Sequence, residues 1–125
     1  MYERIVTVAM LVIAVIHLTP IVGVLGTDRL ATLYGIAVDE PNLEVLLRHR
    51  AVLFGILGGF FLYAAFSRTV QPVAFAMAGM SILSFFYLAW TAADVNDQLR
   101  RVVAVDVIAA VGLLVAIVCY QLQRN

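Results

Sequence analysis

Residues Val73–Ala93 read VAFAMAGMSILSFFYLAWTAA and contain no charged side chain. A membrane-spanning helix needs about 20 mostly apolar residues, and this stretch supplies them. On either side lie three further apolar runs, at about 5–26, 43–66 and 98–122. The second reaches spanning length only with its arginine-bearing start, and the fourth carries Asp106 within it. None shows the period-2 alternation, broken by hairpin turns, of a membrane β-barrel. The expected fold class is all-α: a four-transmembrane-helix up-down bundle forming one domain over residues 1–125.

Composition points the same way. The chain has 125 residues, 64% hydrophobic and 13% charged, with a mean hydropathy of +1.03. Soluble domains are roughly half apolar and about a quarter charged. A chain this short would leave large apolar patches in water. A water-soluble enzyme, a secreted disulfide scaffold and a disordered tail are thereby excluded, and the lipid bilayer becomes the expected partner. The 8 basic residues are all arginine and are balanced by 8 acids. Zero net charge argues against nucleic acid, and no polybasic stretch addresses anionic lipid. Cys119 stands alone in an apolar run and reads as a small core residue.

Local signals place the helix ends. Pro41 follows Asp39 and Glu40, as in the first turn of a helix, and Pro72 opens the third segment similarly. Asn96 or Asp97 can cap the fourth. The connections Ser67–Gln71 and Asp94–Asp97 are short, which implies antiparallel neighbours. The loop Thr27–Glu40 is longer. Within it Asp28–Tyr34 is expected as an interfacial helix with Leu30, Leu33 and Tyr34 toward lipid, ended by Gly35. The first segment lacks a small-x-small cleavage site and is interrupted by His17 and Pro20, so it reads as a retained anchor. Four spans put both termini on one side, here side A, with Arg4, Arg68 and Arg124. Side B carries Arg29, Arg48, Arg50, Arg100 and Arg101. If Arg48 and Arg50 belong to the bundle, the arginine count balances and orientation stays open.

Gly55 and Gly59 form a GxxxG pattern, which lets helix backbones approach closely. It serves packing within the bundle or a homodimer seam; Ala74 and Ala78, beside Gly79, offer a facing surface. Charges inside a span cost about 2.5–3.5 kcal/mol at the helix centre and usually face the interior. His17, Arg48, His49, Arg50 and Asp106 are such groups, and all fall in the B half. His17 lies roughly 13 Å from Gly26 along a regular helix. Arg48 lies within about 20° of the glycine stripe, with Glu44 one turn away. Arg50 points nearly opposite and is expected to snorkel. The expected arrangement is therefore an Arg48–Asp106 pair, either fixing helix register or forming a ligand site with His17 and His49. Trp90, Tyr87 and Tyr63 read as interface anchors.

No CxxC, HExxH or Walker loop is present, so no metal site or catalytic residue is expected, and no motif in the sequence names a cofactor. A Ser-His-Asp set can be drawn with Ser81 or Ser84, but the sequence does not fix its geometry. The stretches IHLTPIVGVLG (Ile16–Gly26), RLATLYGI (Arg29–Ile36), RHRAVLFGILGG (Arg48–Gly59) and NDQLRRVVAVD (Asn96–Asp106) resemble a family of small bacterial four-helix membrane proteins, similar to the wider DoxX-like group. The resemblance implies an accessory protein of the bacterial inner membrane, in redox or envelope physiology, possessing no established catalytic residues. Some members carry the name phosphopantetheine adenylyltransferase. Those enzymes are soluble α/β proteins with an HxGH-type motif, whereas His17 precedes Leu-Thr-Pro and His49 precedes Arg-Ala-Val. Three functions follow as expectations. The first is a binding or accessory protein with an intramembrane pocket at His17, Arg48, His49 and Asp106, for a lipid-like or anionic small molecule or a partner subunit of a membrane complex. The others are a small dimeric proton-coupled transporter and a membrane enzyme acting on lipid-like substrates.

Overall fold

The computed structural model describes all residues, Met1–Asn125, and contains helices and no strand. Helix α1 spans Tyr2–Leu18 and continues as a 3₁₀ segment, Thr19–Leu25. Pro20 explains the change: it has no N–H and its ring opposes the carbonyl four residues back. Gly26, at φ 150°, ends the segment, and α2 follows over Thr27–Tyr34. Gly35, at φ 64°, adopts the left-handed conformation that stops α2, and its N–H donates to the Ala31 carbonyl at 2.8 Å. Helix α3 covers Pro41–Phe66, α4 covers Gln71–Thr91 and α5 covers Asp97–Arg124.

The cap of α3 is Glu40, whose carboxylate accepts from the Asn42 and Leu43 N–H groups at 3.0 and 2.9 Å. That of α5 is Asn96, which accepts from Leu99 N–H at 2.9 Å. Four helices, counting α1 with its 3₁₀ continuation, are long and apolar enough to cross a membrane. Helix α1 packs against α3 and α5, and α4 packs against α5 and α3. The four thus form an up-down bundle with α1 and α4 on one diagonal.

The core runs along Val6, Met10, Ile13 and Ala14 of α1, Phe61, Ala64 and Ala65 of α3, Ala74 and Ala78 of α4, and Ala109 and Ala116 of α5. So many alanines bring backbones close together, which is how helices associate when lipid and core are equally apolar. Val8, Val15, Ile56, Leu83, Leu114 and Val118 point outward as an exposed apolar belt. Trp90, Tyr87 and Tyr63 are also exposed, at 84%, 61% and 60%. At side A, Arg68 ion-pairs with Glu3 and donates to the Gln123 side chain at 2.7 Å, tying both ends of the chain to the α3–α4 turn.

Two expectations about packing need correction. The close approach is not along Gly55–Gly59. A Cβ on Gly55 would meet Ile21 Cδ1 at 2.6 Å, and one on Gly58 would lie 2.9 Å from the Leu18 backbone nitrogen, whereas Gly59 has nothing within 4 Å. The small-residue face is therefore Gly55–Gly58, and it meets Leu18 and Ile21 of the same chain rather than Ala74 and Ala78. The second concerns α2. It forms as expected, but Leu30 and Tyr34 are buried and do not face lipid. They cluster with Val38, Leu33, Leu43, Leu47 and Leu99, so α2 roofs the B end of the bundle.

Candidate ligand-binding site

Beneath that roof lies a cavity of about 370 Å³, to which the 3₁₀ region and every helix contribute. Small-molecule sites start near 300 Å³, so a small polar molecule or a lipid headgroup fits. The walls are largely apolar and aromatic, from Ile16, Phe54, Phe85, Val102 and Val105. The polar groups are His17, Tyr34, Arg50, Ser81, Gln98 and Asp106, with Thr19, Thr32 and Arg101 exposed at the edge. After Pro20 the 3₁₀ segment packs mainly on α3 and α2, no longer sharing the α1 packing on α5. Thr19 of that segment and Val105 of α5 both line the cavity and are exposed.

Arginine 50 is the cation of this site. Its guanidinium carbon stands 4.7 Å from the Phe54 ring centre and 5.0 Å from that of Tyr34. One of its five N–H donors goes to the Tyr34 hydroxyl. Each cation–π contact contributes about 0.5–2 kcal/mol, more when water is excluded. The rings thus fix the guanidinium while leaving four donors for a ligand.

Histidine 17 is almost fully buried, between Phe61 edge-on at 4.9 Å and Phe54 stacked at 5.8 Å. Its Nδ1 lies 2.9 Å from the Ile13 carbonyl, which can only accept, so the proton is assigned to Nδ1. In the neutral ring Nε2 is then free to accept from the Ser81 hydroxyl, 3.1 Å away across the bundle diagonal. This is a hydroxyl held against an imidazole base, the first half of a nucleophile–base pair. The Ser-His-Asp set is not assembled, because Ile13 and not Asp106 occupies Nδ1. Ser84 donates to the Ser81 carbonyl instead.

Asp106 continues the buried stripe of Ala109 and Leu113 and faces the cavity. No cation lies within 4.0 Å of it: the ion pairs of the chain are Arg48–Glu44, Arg68–Glu3, and Arg100 with Asp94 and Asp97. The expected Arg48–Asp106 pair is therefore not formed. Arg48 turns outward, donating from Nε to the Val24 carbonyl at 3.1 Å and pairing with Glu44 at 3.3 Å, and so latches the end of the 3₁₀ segment to α3. His49 is exposed and outside the cavity. Of the four ligand residues expected, the fold brings together His17 and Asp106, and Arg50 takes the place assigned to Arg48.

The sequence did carry a signal for Arg50. At 100° per residue, Arg50 lies about 20° from Phe61 and about 40° from Phe54. The bulky stripe, not the Gly55–Gly59 pair, marks the inner face of α3. Tyr34, Phe85 and Gln98 were not foreseen, because they reach the site only through the roof and through α4–α5 packing. Comparison with family models, curated proteins and solved structures returns no match for this chain.

Proposed function

We propose that this chain is an integral membrane binding protein of the DoxX-like kind, in the bacterial inner membrane, whose B-side cavity holds a lipid-like or anionic small molecule. The observation that carries the reading is Arg50. A cation fixed by two aromatic rings and a tyrosine hydroxyl, with most of its donors free, supports recognition of an acceptor-rich headgroup. The apolar walls, and the exposure of the cavity-lining Val105, support entry of that molecule from the bilayer. Tight binding of the head would restrain α2 above it, which gives an accessory subunit a ligand-dependent surface. The Asp106 carboxylate, which has no ion-pair partner within 4.0 Å, also supports the transporter reading, since carboxylates within a span mark proton and ion paths.

Native mass spectrometry of the protein released from mild detergent tests the binding reading. An adduct of discrete mass should be retained by the wild type and by Arg48→Gln, and lost in Arg50→Gln. Equal retention in both variants, or only random lipid in the wild type, refutes it. Proton-linked flux in liposomes that Asp106→Asn abolishes would favour the transporter instead.

A further inference from the structure

The cavity presents two opposite charges that do not neutralise each other directly. Arg50 and Asp106 both line it, yet no guanidinium nitrogen of Arg50 comes within 4.0 Å of the carboxylate. Arg50 is clamped by Tyr34 and Phe54 on its own side, and Asp106 receives no hydrogen bond from any protein donor, so its oxygens stay open to the cavity. A carboxylate and a guanidinium in a membrane interior each need a counter-charge. A ligand that spans the gap between them supplies both at once.

We infer that the cavity selects a headgroup carrying a phosphate and a primary ammonium together, as in phosphatidylethanolamine, with the phosphate on Arg50 and the ammonium on Asp106. This rests on the binding reading above and names its ligand class. Arg50 supplies the forked N–H donors that suit phosphate oxygens. Asp106 supplies acceptors that a hydroxyl or an N–H group can use, but only an ammonium brings the opposite charge with its N–H donors. A quaternary ammonium would instead need an aromatic box. The guanidinium already takes one face of Tyr34 and one of Phe54, Phe54 also stacks with His17, and Phe85 is the one aromatic lining residue outside the His17 and Arg50 contacts. An anionic glycerol headgroup would satisfy Arg50 and leave Asp106 without a cation. On the α1–α4 wall both ring nitrogens of His17 are taken by Ile13 and Ser81, and the Ser81 hydroxyl oxygen keeps only its capacity to accept. Arg101 stands at the exposed rim, on the headgroup side of α5. A volume of about 370 Å³ admits a headgroup but not two acyl chains. Those chains leave over Val105, which lines the cavity and is exposed on the apolar outside of α5.

The experiment is lipid competition read by native mass spectrometry, with phosphatidylethanolamine, phosphatidylglycerol and phosphatidylcholine of the same chains added to the purified protein in mild detergent. The wild type should retain phosphatidylethanolamine about tenfold over the other two, the ratio expected of one charge-assisted contact. Asp106→Asn, which conserves shape, should abolish that preference and raise the share of phosphatidylglycerol; Asp106→Ser serves as a second neutral variant should the first fold poorly. Equal retention of the three lipids by the wild type, or an unchanged ratio in Asp106→Asn, overturns the inference. If phosphatidylglycerol and phosphatidylethanolamine are held alike and both are lost in Arg50→Gln, the selection fails while the binding reading stands. If no headgroup adduct responds to Arg50→Gln, both fail. Free O-phosphoethanolamine separates the two sources of this chemistry. Displacement of the lipid supports recognition of a free zwitterion as well as a headgroup, and no displacement supports a site that also needs the chains.

Discussion

The contact between α3 and α1 can be tested one glycine at a time. At Gly58 an added Cβ would sit 2.7 Å from Leu18 Cγ and 2.9 Å from the Leu18 backbone nitrogen. The leucine side chain can rotate away, but the backbone nitrogen cannot, so the two helices must separate by several tenths of an ångström. Overpacking of this kind costs about 1–3 kcal/mol. At Gly59 a Cβ meets nothing within 4 Å. Both glycines lie inside the same helix, so both gain the same alanine helix preference, up to about 1 kcal/mol. That gain cancels when Gly58→Ala is compared with Gly59→Ala, leaving the packing cost alone. Gly55→Ala should fall between them, because the atom it meets at 2.6 Å is the end of the flexible Ile21 side chain. Reversible unfolding in mixed detergent micelles, followed by helical circular dichroism, reads the order directly. Gly58→Ala should be about 1–3 kcal/mol less stable than Gly59→Ala. Equal stabilities, or a greater loss at Gly59, would refute the packing and restore Gly55–Gly59 as the contact seam.

Two further outcomes follow from the caps. Asn96→Ala should destabilise the fold by about 1–2 kcal/mol, since Asn96 caps α5 and its amide also donates to the Tyr34 and Gly35 carbonyls at 2.7 and 3.1 Å; faster hydrogen exchange in both α2 and the first turn of α5 is the readout, and a change confined to α5 would contradict the tie. Glu40 lies outside the spans, and the N–H groups of Asn42 and then Leu43 hold its carboxyl below the usual value. A depressed folded-state pKa means its contribution is present above the unfolded value and is lost as pH falls through the folded one, so protection of the Asn42 and Leu43 amides should drop on acidification in the wild type and be independent of pH in Glu40→Gln, whose amide does not titrate.

Much of this molecule is written in short range. The four spans are set by apolar length, and Pro20, Gly35, Pro41 and Asn96 place the breaks by backbone chemistry that acts within a turn or two. The membership of His17 and Asp106 in a B-side polar cluster also follows from helix rise alone. Which arginine joins them does not. Arg48 and Arg50 lie about 200° apart on α3, and choosing between them requires knowing the inner face. In water a helix declares that face by its polar opposite side. In lipid the outside is as apolar as the core, and α3 carries leucine, isoleucine and phenylalanine almost all round. The inner face was therefore decided by where α1 and the roof helix α2 come to rest. Burying Tyr34 over Arg50, and Leu18 against Gly58, turned Arg50 into the cavity and left Arg48 to latch the 3₁₀ segment from outside.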